Sequence, residues 1–128
     1  MICFPNAKIN LGLNITEKRS DGFHSIETVF YPVNWCDALE CIENSNFKKG
    51  EEKIKLSLSG INVGSKTQTN LVVRAYHLLN EKLNLPPVKA HLHKVIPMGA
   101  GLGGGSSDGA FFIKLLNEKL KVKIYYYN

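Results

Sequence analysis

No apolar run in this chain approaches the roughly 18 residues that a membrane-crossing helix requires, so no membrane partner is expected. Residues Met1 to Pro5 carry neither a basic leader nor an apolar signal core, and no secretory signal is expected either. Cysteine is scarce. Cys3, Cys36 and Cys41 are odd in number and lack C-x-x-C spacing, which argues against a disulfide framework or a zinc ribbon and fits a reducing cytoplasm. His91 and His93 alternate onto one strand face, but no third ligand stands near them in sequence, so no metal site is expected there. Repeats and low-complexity segments are absent.

What remains is ordinary in bulk. The 128 residues are 44% apolar and 21% charged, enough for one globular core. A net charge of +5 suits an anionic partner, and charge alone does not separate a nucleotide from a nucleic acid.

The unusual stretch is Pro97-Met98-Gly99-Ala100-Gly101-Leu102-Gly103-Gly104-Gly105-Ser106-Ser107-Asp108, with five glycines in seven positions. Alternating Val88, Ala90 and Leu92, with Ile96, predict a strand leading in. Ala110 to Ile113, Leu115, Leu116 and Leu120 predict a helix leading out, over Ser106–Leu120. Ser106 or Ser107 would cap it, with Asp108 in its first turn. A strand, a glycine loop and a helix N-terminus together aim bare amides and a positive dipole end at an anion. A phosphate chain is the expected ligand.

Three nucleotide motifs compete for this loop. Gly99-x-Gly101-x-x-Gly104 matches the dinucleotide fingerprint, but that fingerprint wants an acidic residue about 20 positions on, and none stands from Leu120 to the end. A P-loop would close on Gly-Lys-Ser/Thr, and Ser106-Ser107 follow Gly105 instead. The protein-kinase loop wants a valine two residues past its last glycine, where Ser106 stands.

Elsewhere, Ala7, Ile9, Leu11, Leu13 and Ile15 alternate with polar residues and predict a half-buried strand. Lys8 and Asn10 then share the face away from the core. On spacing alone Lys8 is an edge-strand lysine that discourages aggregation. Asp21-Gly22 punctuates a turn, and a strand over Phe23 to Val33 follows, with Pro32 arguing for an edge or the end of that strand. Phe23 and His24 read equally well as a packed aromatic and a solvated imidazole. Ala38–Glu43 and Lys53–Ser59 predict two more strands around a charged loop, the second with Ile54, Leu56 and Leu58 inward. Asn70 opens a helix to Leu83 whose stripe is Leu71, Ala75, Leu78, Leu79 and Leu83. Thr69 or Asn70 would cap it, and Pro86-Pro87 follow.

The Pro97–Asp108 stretch resembles the ATP-binding motif of the GHMP kinases. Pro5-Asn6-Ala7-Lys8-Ile9-Asn10-Leu11, Arg19-Ser20-Asp21-Gly22-Phe23-His24 and Asn70-Leu71-Val72-Val73-Arg74-Ala75 are similar to further motifs of the same family, in family order. Within it, the resemblance is strongest to the branch acting on 4-diphosphocytidyl-2-C-methyl-D-erythritol in non-mevalonate isoprenoid biosynthesis. It implies an α+β fold, a mostly antiparallel sheet with both helices on one face, and a ribosomal-protein-like, left-handed β-α-β unit. It implies ATP and Mg²⁺ as cofactors and a cytidine diphosphate compound as partner.

In that picture Pro97, Met98, Gly99, Ala100, Gly101, Leu102, Gly103, Gly104 and Gly105 cradle the phosphates, and Ser106 and Ser107 offer hydroxyls. Lys94 neutralises the chain and Asn70 lies near the adenine. Lys8 sits beside the phosphate-accepting hydroxyl, with Asn10 at the substrate, while Phe23 stacks on cytosine and His24 hydrogen-bonds its edge. The family's aspartate partner for Lys8 belongs to a Gly-x-Asp-x-Pro-like segment that these 128 residues lack. The chain is therefore expected to be an N-terminal ATP-binding domain, inactive alone, and to self-associate through an apolar end at Ile124 to Tyr127. A nucleotide or single-stranded nucleic-acid binding module is the other function considered. It would interleave aromatics with a basic groove, and here the aromatics look scattered or terminal.

Overall fold

The computed structural model describes residues 1–62 and 67–120. Strands β1 (Ile2–Cys3), β2 (Asn6–Lys18), β3 (His24–Cys36), β4 (Ala38–Glu43) and β5 (Ile54–Gly60) come first. Helix α1 (Leu71–Leu83), strand β6 (Val88–Lys94) and helix α2 (Gly104–Leu120) complete the order. Four strands form a sheet in the order β1-β4-β6-β5, while β2 and β3 form a separate two-stranded ribbon. Pairing is antiparallel throughout except between β5 and β6, which run parallel and are joined through α1.

The α+β class, the mostly antiparallel pairing and the placement of both helices on one face agree with the sequence. The division into two sheets does not. Strand β2 pairs with β3 along its whole length, from Asn6 opposite Cys36 to Lys18 opposite His24, and neither strand pairs with the main sheet. Pro32 sits inside β3, opposite Lys8, in a strand that has a free edge, which is the edge position the sequence offered beside a strand end. In a two-stranded ribbon each strand has a free edge, where a missing N–H costs nothing.

The core lies between the helices and the four-stranded sheet. Strand β6 alternates cleanly, with Val88, Ala90 and Leu92 buried and Lys89 and His93 exposed. Leu39 and Cys41 from β4 and Ile54 from β5 join them under Phe112, Leu115 and Leu116 of α2. Helix α1 contributes Val72, Val73, Ala75 and Tyr76, while Leu71, Leu78 and Leu83 are exposed, so only Ala75 and the partly buried Leu79 survive from the expected stripe. Asn84 in a left-handed conformation closes this helix, its amide bonded to Asn80 O.

The ribbon reverses expectation. Ala7 is buried, but Ile9, Leu11, Leu13 and Ile15 are exposed, and Lys8 and Asn10 are the half-covered residues. The apolar alternation of β2 therefore does not face the core. A bulge at Gly12 (φ +69°), where the register shifts between Leu11 and Leu13, breaks the facing of the strand as well. The apolar end expected at Ile124 to Tyr127 lies outside the described residues.

Phe112 has no exposed surface and anchors α2 to the sheet. Phe112→Ala should destabilise the domain by about 3–5 kcal/mol, seen as a lower denaturant midpoint at unchanged slope.

Candidate functional site

The glycine loop leaves β6 and enters α2. Along it φ alternates in sign, positive at Gly99, Gly101 and Gly103 and not at Ala100 or Leu102. That alternation is the backbone habit of anion-binding nests. Helix α2 begins at Gly104, two residues earlier than the serines suggested, and its first helical bond runs from Ser107 N to Gly103 O at 2.9 Å. The amides of Gly104, Gly105 and Ser106 precede that bond and have no carbonyl within the helix to meet. Ser106 and Ser107 therefore sit in the first turn, not at the cap. Pro97, Met98, Gly99, Gly101, Leu102, Gly103, Gly104, Gly105 and Ser106 all border one open cleft, closed on another side by Leu71. Ala100 is exposed at the loop's tip.

Lys8 arrives from the ribbon. Its backbone amide donates to Leu102 O at 2.9 Å, stitching β2 to the loop. Its side chain lies across Gly103, where an added Cβ would come within 3.1 Å of Lys8 Cγ. Its Nζ donates to Asn10 Oδ1 and sits 5.2 Å from the centre of the Phe30 ring. Among the described residues no carboxylate pairs with Lys8. Asp21 pairs with Arg19 at the far turn of the ribbon, and Asp37 and Asp108 are engaged elsewhere.

Lys94 departs from its expected role. It is 2% exposed, and its Nζ donates to Asp37 Oδ2 and, at 2.8 Å, to Asp108 Oδ2. It cannot reach out to a phosphate chain while held between two buried carboxylates. It braces the loop from beneath: Asp37 Oδ1 accepts from the amides of Val95 (2.6 Å) and Ile96 (2.9 Å), the two residues before Pro97. A Cβ on Gly104 would lie 2.8 Å from Ile96 Cγ2 and 3.3 Å from Lys94 Nζ, so only glycine lets the helix start sit on this triad. Asp108 falls beyond the first turn and points inward. Burial raises its carboxyl to about 6, against the pull of Lys94 downward and with a further push from Asp37. Asp108 Oδ1 has no protein partner among the described residues.

The remaining candidates are spread out. Asn70 caps α1, its Oδ1 accepting from Val72 N at 2.9 Å. It borders a small cavity with Met98, Gly105, Lys94 and Asp108, next to the loop. Phe23, 71% exposed, and His24 lie at the tip of the ribbon, ten residues along β2 from Lys8 by the pairing of Lys18 with His24. The residues singled out from the sequence thus run from the loop, through Lys8 and Asn10, along the ribbon toward its tip. His91 and His93 are on the other face of the main sheet, tied into a string with Ser57 and Ser59 at 2.8–2.9 Å. Among the described residues no group of three metal-ligating side chains forms. All three cysteines are free, and burial raises the Cys3 and Cys41 thiols to about 11, which makes them poor nucleophiles.

Sequence reasoning missed Asp37 and Asp108 as partners of Lys94, and Thr28 and Phe30 as partners in the Lys8 cluster. A lysine directly before a glycine loop with an aspartate closing it was the available signal for the first pair. Nothing in the sequence pointed to the second.

Two features mark the site: a glycine loop with alternating φ opening a helix, and a strand lysine laid across it. The model of the GHMP kinases N terminal domain matches residues 70–125 of the chain. The chain is 56% identical over 97% of its length to 4-diphosphocytidyl-2-C-methyl-D-erythritol kinase of Bacteroides fragilis, covering 44% of that protein. It is 53% identical to the same enzyme of Cytophaga hutchinsonii, with 97% and 43% coverage. A crystal structure of 4-(cytidine 5'-diphospho)-2C-methyl-D-erythritol kinase superposes with a TM-score of 0.77 at 34% identity, over 98% of this chain and 42% of that one. Homoserine kinase from Cytophaga hutchinsonii shares the fold at TM-score 0.61 and 20% identity, over 75% of this chain and 30% of that one. The chain thus spans less than half the length of these relatives.

The pH dependence of the triad is testable. Because the Asp108 carboxyl is raised from 3.8 to about 6 by folding, its contribution is fully present below pH 3.8 and is lost as pH rises to about 6. Asp108→Asn should remove that component. Its stability relative to wild type should rise between about pH 4 and pH 6 and stay level above, as read by urea unfolding at a series of pH values.

Proposed function

We propose that residues 1–128 form the ATP-binding N-terminal domain of a cytoplasmic kinase that phosphorylates a hydroxyl of 4-diphosphocytidyl-2-C-methyl-D-erythritol. The observation that carries this reading is the contact between Lys8 and the glycine loop, two segments more than 90 residues apart in sequence that meet through the Lys8–Leu102 backbone bond and the Lys8–Gly103 packing. A phosphate donor and an acceptor are thereby held on adjacent surfaces. Relatives at 42–56% identity that carry this kinase's name support the choice of substrate.

The residues present fit a phosphate chain. The bare amides at the start of α2, the alternating loop and the absence of a Cβ at Gly104 form a cradle that larger residues would fill. ATP bound there supplies the phosphoryl group, and Mg²⁺ spreads the charge of its phosphates. Mg²⁺ is commonly held by one or two carboxylates together with substrate phosphates. In this chain Ser106 and Ser107 offer hydroxyls at the loop, while Asp37 and Asp108 are committed to Lys94. Lys8 supplies positive charge at the acceptor oxygen, which stabilises charge where it develops. Asn70 and Met98 border the cavity beside the loop and suit the nucleoside of ATP. Phe23 and His24, at the ribbon tip, suit the cytosine, with the substrate extended along the ribbon toward Lys8.

The direct test joins this chain in frame to the part of the Bacteroides fragilis relative that it does not cover. The chimera should convert Mg-ATP and the cytidine diphosphate substrate to phosphorylated product, while the chain alone should not, because no carboxylate reaches Lys8 among its described residues. A well-folded chimera without product would overturn the reading. Turnover by the chain alone would place the base among its own aspartates.

Two substitutions in the chimera separate the ends of the site. Gly101→Ala forces a left-handed φ on a residue with a Cβ, with nothing within 4 Å to disturb, at a cost of roughly 1–2 kcal/mol. It should weaken ATP binding about 5- to 30-fold by titration calorimetry. Phe23→Ala, which loses stacking worth roughly 1–3 kcal/mol, should raise KM for the cytidine substrate about tenfold with KM for ATP little changed. A steep salt-dependent affinity for single-stranded oligonucleotides would instead favour a nucleic-acid module, for which the exposed Phe30, Tyr31 and Trp35 of β3 are the surface to examine.

A further inference from the structure

Lys8 is flexible by nature, yet its ammonium is held at one place. A lysine stem has four rotatable carbons and carries roughly 2 kcal/mol of rotamer entropy, so something must fix it. Its stem packs on Gly103, and among the described residues its Nζ meets Asn10 Oδ1 and the Phe30 ring. The Asn10 amide is the informative one, because its two ends are chemically opposite.

Asn10 Nδ2 donates to Thr28 Oγ1 at 3.0 Å, and the Thr28 hydroxyl donates onward to Gly12 O at 2.5 Å. The polarity of this chain is fixed from its far end. Gly12 O only accepts, so the Thr28 proton points to it and the hydroxyl oxygen is left to accept from Asn10. Asn10 must then turn Nδ2 toward Thr28 and Oδ1 toward Lys8. A flipped amide would set its NH₂ against the Lys8 ammonium, donor against donor, and take the hydroxyl proton away from Gly12. The bulge at Gly12, with φ +69° at the register shift, is the feature that brings this carbonyl across to β3.

We propose that Thr28 is a positioning residue for Lys8: through Asn10 it orients the ammonium over Phe30 and beside the glycine loop. The assignment of Lys8 to the acceptor side belongs to the function proposed above, and Thr28 takes its importance from that reading. Thr28 itself touches neither Lys8 nor the loop in the contacts described, so it acts through another side chain. The bulge, the threonine and the asparagine form one relay whose output is the place of a single positive charge.

The test is spectroscopic and uses the chain itself. In wild type the Lys8 ε-methylene protons should show NOEs to the Phe30 ring and a ring-current upfield shift. Thr28→Val, close in shape but without the hydroxyl, should weaken those NOEs at least threefold and broaden or shift the Asn10 side-chain amide pair, with the signals of Leu92 and Phe112 in the core unchanged. Thr28→Ser should restore both. Asn10→Leu should lose the Lys8 NOEs as Thr28→Val does, which provides the result independently if one variant folds poorly. Lys8 NOEs retained in Thr28→Val or Asn10→Leu, or lost equally in Thr28→Ser, would overturn the relay. The readout involves neither ATP nor turnover, so it stands or falls separately from the kinase reading. Loss of product formation in Lys8→Met tests that reading by itself.

Discussion

A single buried cation between two buried carboxylates holds the functional end of this domain together. Lys94 ends β6, Asp37 precedes β4 and Asp108 belongs to α2, so their meeting point joins the central strand, its neighbour and the helix behind the loop. Removing one partner from such a group leaves a charge buried without compensation, typically at a cost of 3–5 kcal/mol. The triad also reaches the backbone, since Asp37 accepts from the two amides that lead into the loop. The loop thus begins from a braced point. Its glycines come only after that point, and the geometry of the glycine loop follows from charges it never exposes.

The second constraint is the docking of a ribbon that has no sheet of its own to join. Strands β2 and β3 satisfy each other and meet the rest of the protein mainly near their base, where Lys8 donates to Leu102 and Asp37 donates to Pro5 O. Asp37 therefore works twice, its backbone holding the ribbon and its side chain holding the loop. This links the two halves of the site mechanically. The glycine loop and Lys8 are positioned from one short stretch of chain, although they lie far apart in sequence.

Much of the architecture was legible in the sequence because it rests on local periodicity. Val88, Ala90 and Leu92 alternate as a strand buried on one side should, and Ala38–Glu43 was placed to the residue. The loop was legible because five glycines in seven positions have few structural uses other than close approach. The errors fall where tertiary contacts override pattern. Ile9, Leu11, Leu13 and Ile15 alternate like a core strand, yet their strand lies in the ribbon, away from the helices. Leu71 and Leu78 fit a helical stripe, but Val72 and Tyr76 take the buried face of α1. Lys94 looked like a phosphate ligand because its partners, Asp37 and Asp108, are 57 and 14 residues away and only the fold brings them together. The Thr28–Asn10–Lys8 relay was equally hidden, since it depends on a bulge that no spacing rule announces.

The central claim is that the loop opening α2 is the phosphate cradle. Amide spectra of the ¹⁵N-labelled chain titrated with Mg-ATP test it most directly. The account predicts saturable shifts concentrated on Gly99 to Ser106, with smaller ones at Asn70 and Lys8, and little change along Ser57, His91 and His93 on the opposite face of the sheet. Saturable binding whose shifts centre on that opposite face, or a spectrum indifferent to millimolar Mg-ATP, would contradict it.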